Sequence, residues 1–283
     1  MHLFEARNII TKQLEPVYLE NETPPMTDIL IEWVTGLDRL QQIAQPKKEI
    51  TEEQQLLLQE GVIRLLSFEP IQYITKHAWF AGYRFKVGPA VLIPRPETEE
   101  LVDWILKEKP DKESYHVLDV GTGSGCIPVS LKKKRPGWTV TAIDISQDAL
   151  AVAKENADEL GAEVDFKAVD LTDEAKWSSL GEIDLLVSNP PYIPWSDWNT
   201  LPENVREHEP SEALFVPDTD PLLFYRLIAQ LAKRQLKKEG VIYLELNETL
   251  GAEVVSLFQA QGFATIELKK DMQGKHRMLR VSI

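Results

Sequence analysis

The sequence predicts an α/β fold, a mostly parallel sheet with helices on both faces, preceded by a small helical domain. From residue 115 onward, apolar strand-like segments alternate with amphipathic helical segments, which is typical of a parallel sheet. Residues 1 to about 75 instead carry apolar residues at intervals of three and four, which is typical of helices. The last two strand-like segments are joined through the short "DMQG" stretch, so we expect them to pair antiparallel.

The N-terminal helical domain is predicted over residues 1–75. It contains "TDILIEWVTGLDRL" and "TEEQQLLLQEGVIRLLSF", with Thr27 and Thr51 predicted as N-caps. The next stretch, "HAWFAGYRFKVGPAVLIP", is rich in aromatic and β-branched residues and is broken by glycines. We therefore predict a β-hairpin linker over 76–94 and a sheet domain over 95–283.

The sheet domain begins with a predicted helix, "RPETEELVDWILKEK". Its predicted strands are, in order, "YHVLDV", "TVTAID", "VDFKAVD", "IDLLVSNPPY", "GVIYLEL", "FATIELKK" and "HRMLRVSI". The helices predicted between them are "CIPVSLKKK", "SQDALAVAKENADEL", "PLLFYRLIAQLAKRQLK" and "TLGAEVVSLFQAQ".

Composition narrows the range of partners. The 283 residues include 31 basic and 45 acidic side chains, a net charge of −14, which disfavours direct binding to a nucleic-acid backbone. The single cysteine excludes an internal disulfide, and the five histidines lack ligand spacing, so no metal site is predicted. The N-terminus lacks the apolar core of a signal peptide, and no segment has membrane length. We expect a soluble cytoplasmic protein.

A glycine-rich loop follows the first strand of the sheet in "LDVGTGSGC". Gly121, Gly123 and Gly125 allow a tight turn and close approach of a ligand. Asp144 closes the next strand, where its carboxylate is placed to bind two ribose hydroxyls. Three interpretations stay open here: a nicotinamide dehydrogenase, a methyltransferase that binds S-adenosylmethionine, and a tight turn without a ligand. Asp119 favours the second, because a carboxylate suits a ligand with an ammonium and a sulfonium better than a pyrophosphate.

Two further positions near the loop are ambiguous or inert. Asp170 ends the third strand, where it either binds an adenine amino group or is a solvated loop carboxylate. Cys126 starts the helix after the glycine loop, and no general base stands near it in the sequence, so we assign it no catalytic role.

The "NPPY" stretch at residues 189–192 interrupts the fourth strand of the sheet. Two successive prolines remove two backbone N–H donors, so the chain must turn out of the sheet there. This leaves a corner rich in acceptors, with the Asn189 side-chain oxygen, the neighbouring carbonyls and the Tyr192 ring. The alternative interpretation is an ordinary proline-rich turn.

With "VLDVGTGSG", Asp144 and "NPPY" in this order, the chain resembles class I S-adenosylmethionine-dependent methyltransferases that act on planar nitrogens. Residues 69–102, "EPIQYITKHAWFAGYRFKVGPAVLIPRPETEELV", narrow the resemblance to the HemK-type peptide chain release factor glutamine methyltransferases. "VREHEPSEAL" and "GKHRMLRV" are similar to later segments of that family. The resemblance implies a Rossmann-like class I methyltransferase sheet with an antiparallel C-terminal strand pair.

The resemblance also implies an activity and a set of site residues. These enzymes methylate the side-chain amide nitrogen of the glutamine in the Gly-Gly-Gln loop of release factors. The residues that would bind S-adenosylmethionine are Asp119, Gly121, Thr122, Gly123, Ser124, Gly125, Asp144, Asp170, Leu171 and Asn189. The residues that would bind the target glutamine are Asn189, Pro190, Pro191 and Tyr192, with Asn189, Pro190 and Tyr192 as the catalytic ones.

Four positions depart from the family pattern. Lys76 replaces a usual glycine, His276 replaces a frequent aspartate, Pro128 lies in the helix after the glycine loop, and Leu171 replaces an aromatic residue seen in some members.

The chemistry expected at residues 189–192 follows from the nature of an amide. Its nitrogen is a poor nucleophile, because the lone pair is delocalised into the carbonyl. Acceptors at Asn189 Oδ1 and the Pro190 carbonyl would hold both N–H bonds and leave the lone pair directed at the methyl group. The Tyr192 ring would flank the amide and face the cationic centre.

Other functions share parts of this pattern. An adenine N6 methyltransferase of DNA or RNA would use the same acceptors on a flipped base, but the acidic composition opposes it. A ribosomal-protein glutamine methyltransferase would use the same chemistry, and a non-catalytic cofactor-binding protein would lack a complete acceptor corner. We expect a monomeric enzyme that acts on release factors, with no direct nucleic acid and no membrane as partner.

Overall fold

The computed structural model describes residues 1–110 and 114–282, which form two compact units. The first unit comprises Met1–Lys76 and Pro202–His208, and the second comprises His77–Leu201 and Glu209–Ile283. Of the predicted hairpin linker, residues 76–94, Lys76 lies in the first unit and the remainder lies in the second. The last predicted strand reached Ile283, which lies outside the described residues.

The first unit is helical. Its helices are α1 (Leu3–Leu14), α2 (Thr23–Thr35), α3 (Arg39–Ala44), α4 (Glu52–Leu66), α5 (Ile71–Thr75) and the short α9 (Glu203–Arg206). Leucine, isoleucine and valine side chains from α1, α2, α4 and α5 form its own buried core. Thr51 caps α4 as predicted, and its hydroxyl accepts from the Gln54 amide at 3.2 Å. The Thr27 prediction is wrong, because α2 begins at Thr23 and the Thr27 hydroxyl donates to the Thr23 carbonyl inside the helix.

The second unit contains the sheet and its covering helices. Its strands are β1 (His77–Phe80), β2 (Tyr83–Lys86), β3 (His116–Val120), β4 (Thr139–Asp144), β5 (Asp165–Ala168), β6 (Ile183–Ser188), β7 (Ile193–Pro194), β8 (Phe215–Val216), β9 (Leu236–Glu245), β10 (Thr265–Lys270) and β11 (His276–Ser282). Its α-helices are α6 (Pro96–Glu108), α7 (Cys126–Lys134), α8 (Gln147–Leu160), α10 (Ser211–Leu214), α11 (Leu223–Gln235) and α12 (Gly251–Ala260). Short 3₁₀ helices span Glu174–Leu180 and Trp195–Thr200.

The seven-stranded sheet has the order β10-β11-β9-β6-β3-β4-β5. Strands β9, β6, β3, β4 and β5 run parallel, whereas β11 is antiparallel to both β9 and β10. The predicted fold class and the antiparallel C-terminal pair are confirmed. Strands β1 and β2 pair antiparallel as a hairpin, and β7 pairs with β8 in a separate two-stranded sheet.

The core of the second unit lies on both faces of the sheet. Alternate residues of one strand enter different clusters: Val117 packs with α6 and α7 on one face, and Leu118 packs with α11 and α12 on the other. The strands are apolar on both faces for this reason, as expected of a covered parallel sheet. Within the described part of the chain, no helix combines the length and the apolar character needed to cross a bilayer.

Candidate active site

The polar residues singled out in the sequence lie where strands of the parallel sheet end. The chain runs from β3 outward to β4 and β5, and then returns to place β6 on the other side of β3. In open α/β sheets, the crevice at such a reversal of strand order is where ligands bind. The loops after β3 and β6 are therefore neighbours at this edge.

The glycine loop begins where β3 ends. Gly121, Gly123 and Gly125 have φ angles of 73°, 52° and 77°, which lie in the left-handed region that favours glycine. The amides of Gly121 and Thr122 donate to the Ile143 carbonyl at 2.9 and 3.0 Å, which fixes the start of the loop against β4. A Cβ atom at Gly121 or Gly123 would meet open space, with no atom of the described residues within 4 Å. These two positions present bare backbone that a ligand can approach closely.

Asp119 is fully buried directly before this loop. Its side chain is 0% exposed, and neither carboxylate oxygen has a hydrogen-bond partner among the residues that the structure describes. Burial raises the pKa of Asp119 to about 7, the nearby Thr122 hydroxyl opposes the shift, and the charge of Asp144 adds to it. A buried carboxylate without partners is costly, so this group fits a site that receives a cationic ligand.

Asp144 ends β4 beside the glycine loop. One carboxylate oxygen accepts from the Gly123 amide at 2.9 Å and the other accepts from the Ser146 amide at 2.9 Å. Burial raises the pKa of Asp144, although these backbone donors oppose the shift. Since each oxygen keeps further lone-pair capacity, the carboxylate can still accept from two hydroxyl groups.

Asp170 and Leu171 follow β5. Asp170 Oδ1 accepts from the amide and the hydroxyl of Thr172 at 2.8 and 2.7 Å, which closes a turn. The Leu171 side chain is buried in the core, and its carbonyl accepts from the Trp177 indole at 3.0 Å. The adenine contacts of both residues stay predictions.

The 189–192 corner leaves the sheet after Ser188. Ser188 pairs with Val120 on β3 and with Leu244 on β9, and its hydroxyl donates to the Val120 carbonyl at 2.6 Å. The next residue, Asn189, therefore lies beside the start of the glycine loop on one side and the end of β9 on the other. Pro190 is buried, whereas Pro191 and Tyr192 are partly exposed.

Two residues that the sequence analysis missed hold this corner. The Asn189 Nδ2 group donates to the Thr98 hydroxyl at 3.2 Å, and that hydroxyl donates to Glu245 Oε2 at 2.6 Å. The Tyr192 hydroxyl donates to Glu245 Oε1 at 3.3 Å. Burial raises the pKa of Glu245 to about 7, while its hydrogen bonds from Thr98 and Tyr192 oppose the shift. A carboxylate inside the apolar run "VIYLELN" was the available signal for Glu245.

Another missed residue, Asn156 on α8, joins the hairpin to the glycine loop. It is 1% exposed, and its side chain exchanges two hydrogen bonds with the Lys86 backbone, at 2.6 and 3.0 Å. Its amide group also donates to the Ser124 carbonyl at 2.9 Å. Asn156 therefore positions both segments with respect to α8.

Two of the segments that carry the family resemblance also meet in the structure. Glu209 from "VREHEPSEAL" is buried and forms an ion pair with Arg95, and its second oxygen accepts from the Ile93 amide at 3.2 Å. Burial raises the pKa of Glu209, although the charge of Arg95 opposes this. The start of α6, which carries Thr98, is anchored by this pair.

The structure also gives the local environment of Cys126 and of three positions that depart from the family pattern. Lys76 adopts a left-handed conformation with a φ of 62°, which explains why glycine suits this position. Pro128 is the third residue of α7, where an N–H would lack an intrahelical partner. His276 is the exposed first residue of β11. Burial raises the pKa of the Cys126 thiol to about 12, so the thiol stays protonated at neutral pH.

These residues fit S-adenosylmethionine. The unpartnered buried carboxylate of Asp119 suits the cationic end of that molecule, and the open backbone at Gly121 and Gly123 leaves space for close approach. The free acceptor capacity of Asp144 suits two ribose hydroxyls. The cofactor is S-adenosylmethionine.

Comparison with solved structures shows the same fold. The hMettl16 catalytic domain, solved in complex with the MAT2A 3'UTR hairpin 6, is 15% identical with a TM-score of 0.56 over 82% of each chain. The Thermus thermophilus 16S rRNA N2 G1207 methyltransferase, solved with AdoMet and guanosine, is 16% identical with a TM-score of 0.52. That match covers 73% of this chain and 49% of the other. At such identities the likeness shows a class I methyltransferase fold alone.

Sequence comparison is more specific. Residues 5–75 match the PrmC N-terminal domain, and residues 97–199 match the Methyltransferase small domain. The release factor glutamine methyltransferase of Bacteroides thetaiotaomicron is 40% identical over 272 residues, which covers 95% of this chain and 96% of the relative. That of Flavobacterium psychrophilum is 39% identical over 279 residues, covering 98% and 97%. Because this similarity runs through both units and includes the glycine loop and the 189–192 corner, the chain belongs to the release factor glutamine methyltransferase family.

Proposed function

We propose that the chain transfers a methyl group from S-adenosylmethionine to the side-chain amide nitrogen of the glutamine in the Gly-Gly-Gln motif of peptide chain release factors. The observation that carries this proposal is the orientation of Asn189. Its Nδ2 is held by Thr98, and its Oδ1 accepts no hydrogen bond from any residue in the described part of the chain. An oriented acceptor beside the glycine loop is what a substrate amide requires.

The cofactor half of the site lies after β3, β4 and β5. S-adenosylmethionine supplies an electrophilic methyl group on a sulfonium centre. The glycine loop, with Thr122 and Ser124, would line its methionine portion, and Asp119 would balance its positive charge. Asp144 would accept from the ribose hydroxyls, and Asp170 and Leu171 would border the adenine.

The substrate half lies after β6. Asn189 Oδ1 and the Pro190 carbonyl would accept the two N–H bonds of the target amide, so its nitrogen lone pair points at the methyl group. Pro191 fixes the turn without adding an N–H donor, and the Tyr192 ring would flank the amide plane. Holding both partners in line supplies much of the acceleration, because their relative motion is restricted before the reaction.

The transfer needs no strong base. In the proposed transfer, the amide nitrogen would form a bond to the methyl carbon as the bond from that carbon to sulfur breaks, and the nitrogen would then release one proton to water. The acceptors at Asn189 and Pro190 stabilise the N–H bonds as positive charge grows on them. The names of the relatives support this reaction and do not favour the adenine or ribosomal-protein alternatives.

We further propose that residues 1–75 dock the protein substrate. This region has its own core, and α4 carries an exposed apolar stripe at Leu56, Ile63 and Leu66, with exposures of 67%, 58% and 38%. Leu56→Glu and Ile63→Glu should each raise KM for a whole release factor several-fold by placing a charge in the interface. KM for a short Gly-Gly-Gln peptide, measured with the same variants, should stay at the wild-type value. An equal rise for both substrates would contradict docking through α4.

We also propose that the enzyme works in the cytoplasm as a monomer and without direct contact to nucleic acid. The cytoplasm is where release factors function, and the net charge of −14 opposes binding to a phosphate backbone. Light scattering after size-exclusion chromatography measures the mass, for which we expect 32.2 kDa. A dimer mass would contradict the proposed monomer, and retention on heparin at moderate salt would contradict the proposed lack of contact to nucleic acid.

The reaction itself is tested with labelled S-adenosylmethionine and a purified release factor. We expect label in the peptide that carries the Gly-Gly-Gln loop, at the side-chain nitrogen. A release factor with that glutamine changed to alanine is the matched control and should accept no label. Equal labelling of both forms, or of nucleic acid or ribosomal protein in its place, would refute the proposed function.

A further inference from the structure

Asn189 can present either end of its carboxamide to a substrate, and only one end is useful. The oxygen accepts from a substrate N–H, whereas the NH₂ group would repel it. The protein must therefore fix which end faces outward. The groups behind Asn189 decide this, because a carboxamide whose NH₂ is engaged inward presents its oxygen outward.

The hydrogen bonds behind Asn189 have a defined direction. Glu245 is 2% exposed, and as a carboxylate it can only accept, so the single hydroxyl proton of Thr98 goes to Oε2 at 2.6 Å. The Thr98 oxygen is then left with lone pairs and accepts from Asn189 Nδ2 at 3.2 Å. A negative charge on Glu245 thus orients Asn189 through one intervening hydroxyl.

The same carboxylate also reaches the second substrate-facing side chain. Its other oxygen accepts from the Tyr192 hydroxyl at 3.3 Å. The register of β6 and β9 brings these side chains together. Ser188 pairs with Leu244, and the residues that follow them are Asn189 and Glu245, respectively. Thr98 approaches from the first turn of α6.

We infer that Glu245 and Thr98 are positioning residues for methyl transfer, and that the ionised carboxylate of Glu245 sets the outward direction of the Asn189 carboxamide through the Thr98 hydroxyl. This inference rests on the proposed function for its substrate, a primary amide. We call this chain of hydrogen bonds, from Asn189 through Thr98 to Glu245, the relay. When Glu245 is neutral, the direction of the relay reverses. The Glu245 carboxyl then donates a hydrogen bond to the Thr98 oxygen, the Thr98 hydroxyl donates to Asn189 Oδ1, and the Asn189 NH₂ group faces the substrate.

The relay predicts a dependence on pH. Burial raises the pKa of Glu245 and the like charge of Glu97 adds to this, while Thr98, Tyr192 and Arg277 favour the charged form. Because the active orientation needs the carboxylate, kcat should fall as pH drops through the pKa of Glu245. The groups that face Glu245 from the elements around it are Thr98, Glu97, Tyr192, Tyr225, Arg277 and Cys126.

The kinetic test uses variants that keep shape and change hydrogen bonding. Glu245→Gln replaces one acceptor oxygen with an NH₂ group, so Thr98 and Tyr192 can no longer both donate to this side chain, and Thr98→Val removes the hydroxyl. Each should lower kcat about 10- to 100-fold at saturating cofactor, with cofactor Kd within threefold of wild type. Thr98→Ser keeps the hydroxyl and should recover most of the rate. The matched control is Thr141→Val on β4, which removes a buried hydroxyl that lies 3.1 Å from His116 Nε2.

Stability and pH separate positioning from a structural role. Glu245→Gln should keep or raise the melting temperature at pH 8, since a buried charge is removed, and should lose the acid limb of the kcat profile. Wild-type-like kcat in either folded variant, or Thr98→Ser as impaired as Thr98→Val, would overturn the relay. A lower melting temperature with normal kcat per folded molecule would overturn it as well.

A readout without turnover keeps this inference separate from the proposed function. In ligand-free protein labelled with ¹⁵N-asparagine, the Asn189 side-chain resonances should shift with pH in wild type and should not do so in Glu245→Gln. Identical, pH-independent Asn189 signals in both would overturn the relay. If wild type shows the shift but never methylates a release factor glutamine, the proposed function is wrong and the relay stands.

Discussion

The buried carboxylate of Asp119 should lower the stability of the folded protein and strengthen the binding of S-adenosylmethionine, and both effects can be measured. An ordinary aspartate has a pKa of 3.8, and burial raises that of Asp119 to about 7. At about 1.4 kcal/mol per pH unit, ionising it in the folded protein costs about 4 kcal/mol at pH 8. Asp119→Asn removes this cost but leaves a buried NH₂ group to be satisfied, at roughly 1–3 kcal/mol. We expect a net stabilisation of about 1–3 kcal/mol at pH 8.

The sign of the pH dependence follows from the raised pKa. Between about pH 4 and pH 7, folded Asp119 keeps a proton that the unfolded chain has lost, so wild-type stability falls as pH rises. The full penalty applies above pH 7 and is absent below the unfolded pKa. The Asp119→Asn variant should therefore melt roughly 2–10 °C above wild type at pH 8. The difference should shrink and then reverse toward pH 4, where only the cost of the buried NH₂ group remains.

Binding should change in the opposite direction. The cationic end of S-adenosylmethionine favours the charged form of Asp119, so wild-type affinity should rise from pH 6 to pH 8. Asp119→Asn should weaken binding by about 1–3 kcal/mol and remove most of this rise. Differential scanning fluorimetry from pH 4 to pH 8.5 and calorimetric titration at pH 6 and pH 8 measure both effects.

Asp144→Asn is the matched control. Both Asp144 oxygens accept backbone amides at 2.9 Å, so an asparagine there must turn its NH₂ toward a donor and should lower stability at pH 8. If Asp119→Asn is also less stable than wild type at pH 8, or if its effect is the same at every pH, the argument from a buried, unpartnered carboxylate is refuted.

Substitutions at three further positions test other parts of the chain. Asn189→Ala should lower kcat about 100-fold with fold and cofactor binding intact, and Asn189→Asp should bind cofactor at least as tightly as wild type while its kcat falls. Single-turnover rates and calorimetric titration measure these effects, and near-normal turnover in stable Asn189→Ala would contradict the amide-holding role. Lys76→Gly should stabilise the protein by about 1 kcal/mol in urea unfolding because it relieves a left-handed φ of 62°, whereas Lys76→Ala, which keeps that strain, should not. Asn156→Leu should cost about 2–4 kcal/mol and weaken cofactor binding, since Lys86 and Ser124 lose their buried partner; an unchanged urea midpoint would show that the tether contributes nothing.

Local pattern was sufficient to predict much of this fold. The seven strands of the main sheet could be identified because a covered parallel sheet needs continuous apolar runs, which this sequence has from residue 115 onward. Local pattern failed at a helix start: Thr27 has the chemistry of an N-cap, but Thr23 and two prolines begin the helix one turn earlier. A capping residue specifies a boundary only when the preceding turn does not already support the helix.

The loops of the candidate site could be predicted from the sequence, but the residues that support them from behind could not. The glycine loop and "NPPY" are contiguous in sequence, so their composition marks them. Thr98 and Glu245 are 147 residues apart and meet because α6 packs against the end of β9. Thr98 lies in the segment that carries the family resemblance, but a threonine in an exposed-looking helix start has no local signal of burial. The local signal for Glu245 is a carboxylate inside an apolar run, which does not show what it contacts.

The long separations within the site set the order in which it can form during synthesis. Ser188 and Val120 are 68 residues apart, and Asn189 and Thr98 are 91 apart, so their contacts require the closure of long loops. The strands β3, β4 and β5, which end at the proposed cofactor residues, leave the ribosome before β9 does. The support of the acceptor corner by Glu245 comes last, after strand β9 joins the sheet. A nascent chain that ends before residue 245 therefore has the proposed cofactor residues but lacks the group that orients Asn189.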